Sequence, residues 1–124
     1  QECFFFLIYI WLFCLLQPVV KANHNQTDIS FNALSSVYSD THGELWTSKA
    51  NWMHGTPCPN GSWYGVTCDG ASVVSVDIGN NNLRGTIPSQ IGILSNITEL
   101  RIYSNNITGT LPSQIGQLTG TTDG

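Results

Sequence analysis

An α/β solenoid of short parallel strands behind a helical N-terminal cap is the architecture this sequence predicts, and three observations predict it. Ten residues recur almost unchanged, LRGTIPSQIG at Leu83–Gly92 and ITGTLPSQIG at Ile107–Gly116, 24 positions apart, and self-similarity at such a period marks supersecondary units laid one on the next. Within each unit a short alternation of apolar and polar residues gives a half-buried strand. Ahead of the units lies a segment with helical apolar spacing, three tryptophans and two cysteines, suited to a terminal unit that covers the open end of a stack.

The chain opens on an apolar run, Cys3 to Leu16, of 14 residues without a charge. That is too short to span a bilayer. Val20-Lys21-Ala22 places small or β-branched residues at the −3 and −1 positions of a cut after Ala22, so residues 1–22 read as a secretory signal peptide, with a buried helix or a signal anchor as the other reading. Gln1 in place of Met and the lack of a basic stretch before the run point to missing first residues. Removing 1–22 takes away Glu2 and Lys21 and leaves three basic and seven acidic residues, a net charge of −4. Lys49, Arg84 and Arg101 are scattered, so no positive stripe exists for nucleic acid.

Export sets how the cysteines read. Cys3 and Cys14 leave with the signal, and Cys58 and Cys68 remain, an even number in an oxidising compartment, expected to pair. The other reading, a metal site, would need His42 or His54 as further ligands, and His54, Cys58 and Cys68 do not fit close ligand spacing. Four sequons agree with export, at Asn25, Asn60, Asn96 and Asn106.

The cap helix is expected over Asp28–Ser39, where Phe31, Leu34, Val37 and Tyr38 fall at helical spacing. Trp46, Trp52 and Trp63 follow and read as core, since aromatic side chains bring large apolar area, or else as a sugar-binding platform. In the repeats, Val73, Val76, Ile78, Leu83, Ile87 and Ile91 coincide with Ile97, Leu100, Ile102, Ile107, Leu111 and Ile115. Val76-Asp77-Ile78 and Leu100-Arg101-Ile102 are the expected strands. Asn81 and Asn105 stand just beyond them, where side-chain amides can bond the turning backbone and stack into a ladder. Gly85 and Gly109 permit a tight backbone, and Pro88 and Pro112 end any run of helix or central strand before the Ser-Gln-Ile-Gly return.

The run Ile97-Thr-Glu-Leu100-Arg-Ile102-Tyr-Ser-Asn105-Asn-Ile107-Thr-Gly109-Thr-Leu111-Pro112-Ser-Gln-Ile115-Gly116 resembles the plant-type leucine-rich repeat. Asn51-Trp52, Pro57-Cys58 and Trp63-Tyr-Gly65-Val66-Thr-Cys68 resemble that family's N-terminal cap. The resemblance covers about residues 28–118. With it the chain divides into the signal peptide at 1–22, a disulfide-bonded cap at 23–69, repeats at 70–93 and 94–117, and the start of a broken or truncated third repeat at 118–124. Thr121 and Gly124 stand where the period calls for apolar residues, which reads as the N-terminal piece of a longer protein or a product that stops early. With no following unit, Leu111, Ile115 and Leu118 are expected to lack a cover and the isolated chain to fold poorly.

Ligands in the family bind across the parallel sheet or its flanks. The outward rows here set Ser75 beside Glu99, Asp77 beside Arg101 and Gly79 beside Tyr103, about 4.8 Å apart if on neighbouring strands. Asp77 and Arg101 read as a lateral ion pair or as ligand contacts, and Tyr103 is the better contact candidate. No catalytic set, phosphate loop, cofactor or metal is implied. His24, His42 and His54 lie in the cap, away from the repeat surface. The resemblance implies extracellular recognition, secreted or at the cell surface, of a protein or peptide ligand, a co-receptor or a secreted hydrolase. The parent would be a receptor-like protein or receptor kinase, with kinase and membrane span absent from this chain. Two alternatives share the cap and repeats: a secreted inhibitor similar to polygalacturonase-inhibiting proteins, and a structural wall or matrix adhesion protein.

Overall fold

A computed structural model of the chain describes residues 22–59 and 62–117. The apolar run of the signal-peptide reading, the Asn60 sequon, Leu118 and the pattern break at Thr121 and Gly124 lie outside the described residues.

The first element among the described residues is helix α1, Ala22–Asp40, longer at its start than the apolar spacing indicates. Ala33, Leu34 and Val37 on its inner face are fully buried, while Phe31 and Tyr38 pack at the border of the core. The helix ends where His42 adopts a left-handed φ of 53°, an uncommon conformation outside glycine that breaks the helical path. The buried Thr41 hydroxyl donates back to the Val37 carbonyl at 2.6 Å, which satisfies one of the orphan carbonyls of the last turn. A 3-10 turn follows at Gly43–Leu45. Gly43 lies flat against the Tyr38 ring, where a Cβ would stand 2.1 Å from Cδ2.

The three tryptophans are core. Trp46, Trp52 and Trp63 are each at most 3% exposed, and their rings run as a chain, 4.7 Å between the centroids of Trp46 and Trp52 and 5.0 Å between Trp52 and Trp63. Tyr38 and Phe31 of α1 close the two ends edge-on, at 5.2 Å from Trp46 and 5.7 Å from Trp63. Each indole N–H has a backbone acceptor: Thr41 O at 3.1 Å, Tyr64 O at 2.9 Å and His54 O at 2.9 Å. Burial therefore leaves no indole donor unpaired, which would cost about 1–3 kcal/mol apiece. The disulfide Cys58–Cys68, with Cα atoms 5.9 Å apart, ties this aromatic cap to the first strand.

Strands β1 (Val66–Asp69) and β2 (Ser72–Asp77) form an antiparallel hairpin with a bulge at Thr67 and Cys68. Gly70, the first of two turn residues, has φ 58°, the positive value a two-residue hairpin turn needs. The approach to the repeats is thus itself a strand. Beside β2 on its other edge lies β4 (Glu99–Arg101), parallel and in the register Ser75 to Glu99, Val76 to Leu100, Asp77 to Arg101. A second parallel pair, β3 (Arg84–Gly85) with β5 (Asn106–Ile107), follows each turn. The Ser-Gln-Ile-Gly returns are 3-10 turns at Ser89–Ile93 and Ser113–Gln117, the first entered directly from Pro88 in extended conformation. Proline thus introduces each turn as well as halting the extended run, since its missing N–H is surplus at a helix start.

The side chains of the first repeat, Val73, Val76, Ile78, Leu83, Ile87 and Ile91, are at most 6% exposed. Full burial of each contributes about 1.5–3 kcal/mol relative to exposure. Their counterparts grade outward: Ile97 and Leu100 are buried, Ile102, Ile107 and Ile115 half-buried, and Leu111 is 56% exposed.

Candidate functional site: the outward face of the sheet

Alternation along β2 and β4 sends Val76 and Leu100 into the core and Ser75, Asp77, Glu99 and Arg101 to the opposite face. The four form one polar chain. The Ser75 hydroxyl donates to Glu99 Oε2 at 3.2 Å, Arg101 Nη2 contacts Glu99 Oε1 at 2.5 Å, and Arg101 Nη1 lies 3.6 Å from Asp77 Oδ2. Asp77 Oδ1 also accepts from the Gly79 N–H at 3.2 Å. Arg101 is thus shared between two carboxylates. The contact with Glu99 was not read from the sequence, although residues two apart on a strand share a face.

Tyr103 lies over Gly79. A Cβ on Gly79 would stand 2.6 Å from Cε1 and Cζ of the ring, so only glycine admits the tyrosine at this height. The ring remains 48% exposed. Its backbone is held by the Asn80 N–H, which donates to Tyr103 O at 2.8 Å, and by Asn105 Nδ2 at 3.2 Å. Thr67 on β1, opposite Ser75, extends the face toward the cap, and Tyr64 at 41% exposure is a further aromatic that the sequence reading passed over.

Asn81 and Asn105 organise the turn beyond the face. Asn105 Oδ1 accepts from the N–H groups of Asn81 and Leu83 in the preceding repeat, at 2.9 and 3.0 Å, while Nδ2 donates to Ile78 O and Ile102 O, each at 2.9 Å. Asn81, 1% exposed, does the same work against the cap: Oδ1 accepts from Ser48 N–H at 2.6 Å and Nδ2 donates to Ser48 O at 2.8 Å.

His42 is closer to the repeats than its sequence position suggests. Its ring edge stands 3.7 Å from where a Gly85 Cβ would be, because the Asp40 carbonyl accepts from Thr86 N–H and the Thr41 carbonyl from Arg84 N–H. His42 Nδ1 also meets Glu44 Oε1 at 3.2 Å. The Glu44 carboxyl is held below its usual value chiefly by a backbone hydrogen bond of its own residue, with His42 adding to the effect and partial desolvation opposing it.

Of the sequon asparagines, Asn96 and Asn106 are exposed and Asn25 lies within α1. Among the described residues there is no group of three or more His, Cys, Asp or Glu placed to hold a metal ion, and no helix long and apolar enough to cross a membrane.

Residues 72–94 and 96–118 match the Leucine Rich Repeat family. Receptor-like protein kinase HSL1 of Arabidopsis thaliana is 36% identical over 96 residues, covering 76% of this chain. A probable leucine-rich repeat receptor-like protein kinase of the same plant is 32% identical over 82 residues, covering 56% of the chain. The chain spans only 9% of the length of either relative. Two matched repeats, short parallel strands in register at the repeat spacing and these relatives make the chain a leucine-rich repeat protein of the plant type.

Proposed function

We propose that the chain is the N-terminal part of an extracellular recognition ectodomain, of the kind carried by leucine-rich repeat receptor-like proteins and receptor kinases. Residues 1–22 serve as its signal peptide, 23–69 as its cap, 70–93 and 94–117 as the first units of a solenoid, and 118–124 as the start of a broken or truncated third repeat. The outward sheet face is the contact surface for a protein or peptide partner. One observation carries this reading: Tyr103 is half-exposed over Gly79, beside the Asp77, Glu99 and Arg101 charges, whose side chains are themselves partly open to solvent. Aromatic and arginine side chains in such a setting are the groups that recognition surfaces favour. A disulfide in the cap agrees with an oxidising compartment, and the two relatives are named as receptor-like protein kinases.

The test is export and binding together. The full chain is expressed with a C-terminal tag in plant cells, recovered from the extracellular fluid, and its first residue and cysteine state are read by mass spectrometry. Cross-linking then compares the native chain with Tyr103→Ala. Recovery of the cut chain with Cys58 and Cys68 joined, and a partner lost on Tyr103→Ala, supports the reading. Retention inside the cell with both thiols free sinks it.

A further inference from the structure

The two exposed sequons of the second repeat are built into the stack in the same unusual way. At Asn96-Ile97-Thr98, the Thr98 hydroxyl and the Thr98 N–H both donate to Val74 O of the preceding repeat, at 3.0 and 2.8 Å. At Asn106-Ile107-Thr108, the Thr108 hydroxyl and N–H both donate to Gly85 O of the preceding repeat, at 3.2 and 2.6 Å. The middle isoleucines point inward: Ile97 is fully buried and Ile107 packs against the core. Asn96 Nδ2 also donates to Ser72 Oγ at 3.0 Å, 24 residues back.

A sequon is defined by its asparagine and by a hydroxyl two residues on, so the transferring enzyme must engage both. In the transfer, the asparagine amide nitrogen forms a bond to C1 of a sugar carried on a lipid pyrophosphate. The C1–oxygen bond breaks, the lipid pyrophosphate leaves, and one amide proton goes to base. The stacked chain restrains both sequons against this: each hydroxyl is engaged by a carbonyl of the preceding repeat, and each tripeptide is held by its isoleucine, Ile97 buried and Ile107 half-buried against the core.

We infer that Asn96 and Asn106 are N-glycan acceptors only before the second repeat stacks on the first, with Thr98 and Thr108 serving first as the hydroxyls that mark the sites and then as hydrogen bonds between repeats. The inference rests on the export reading above. Its chemical part can be tested without export. Asn96 lies ahead of β4, and Asn106 opens β5 beyond the asparagine turn.

The experiment uses the full chain, produced without glycans and selected for protease resistance with its disulfide intact. It is incubated with purified oligosaccharyltransferase and lipid-pyrophosphate-linked oligosaccharide. A synthetic peptide covering residues 94–110 and the variant Leu100→Asp, which places a charge at the buried strand position between the sequons, serve as unstacked references. Site occupancy is read by mass spectrometry. The expected result is transfer to Asn96 and Asn106 of the protease-resistant chain at least about tenfold slower than to the references, since each site must first open. Equal rates in all three overturn the inference. Failure of the export reading would show separately, as chain retained in cells with neither asparagine modified.

Discussion

The backbone N–H of Asn81 donates to the side-chain oxygen of Asn105 at 2.9 Å, so the asparagine of one repeat organises the turn around the asparagine of the repeat before it. Because Asn105 Oδ1 serves Leu83 N–H as well, its loss leaves two backbone donors of the first repeat without their acceptor. Asn105→Ala is expected to destabilise the fold by about 2 kcal/mol, given about 1–3 kcal/mol for each donor left truly unsatisfied and partial relief by water. Chemical denaturation of the two proteins checks it, and an unchanged midpoint would contradict the ladder.

Ile87 and Leu111 occupy the same repeat position but differ in exposure, 6% against 56%. Ile87→Ala is expected to cost about 2–4 kcal/mol through lost burial and a cavity. Leu111→Ala should stay within about 0.5 kcal/mol. Paired denaturation curves decide, and equal losses would mean that Leu111 is covered in solution.

The disulfide closes a loop with a sequence separation of 10. Replacing both cysteines, Cys58→Ser with Cys68→Ala, is expected to lower stability by about 2–3 kcal/mol on loop entropy. The cap should loosen first, so tryptophan emission would shift to the red before the repeats lose their strand signal. A single coincident transition at the native midpoint would count against this role.

Gly79→Ala tests the seat of Tyr103 without touching the tyrosine. Its methyl would meet the ring, so the ring must swing away from the sheet. The expected outcome is a changed Tyr103 ring resonance, weakened partner binding that mimics Tyr103→Ala, and a melting temperature within a few degrees of native. Native binding by Gly79→Ala would remove Tyr103 from the contact surface.

Glu44 gives a prediction in acid. Its folded pKa lies below the ordinary 4.5, so its contribution is complete above that value and fades as pH falls through the lowered one. A carboxyl titration followed by NMR should therefore place its midpoint below 4.5, and a midpoint at or above it refutes the assignment.

Some features were legible in the sequence for a definite reason. Ser75 beside Glu99 and Asp77 beside Arg101 follow from the repeat period alone, because a parallel register at a fixed spacing aligns like positions. Other features had no local sign. Val66–Asp69 becomes a strand only once the Gly70 turn folds it against β2. β3 and β5 are two residues each, too short to show alternation, and exist through pairing across repeats. Ala22–Thr27 is mostly polar, so the start of α1 carries no apolar period to announce it. The approach of His42 to Gly85 depends on the carbonyls of Asp40 and Thr41 accepting from the first repeat, a tertiary bond that no spacing encodes.

Among the described residues the antiparallel strand β1 occupies one edge of the sheet, and β4 is the last strand at the other. One border is therefore sealed by a strand running the wrong way to be copied, while the other repeats the pattern that recruited it. Such an assembly has a fixed beginning and a variable reach. A 24-residue unit placed after β4 would pair in the same parallel register without disturbing the β1–β2 hairpin, so the sheet can grow from that edge while its starting block stays as it is.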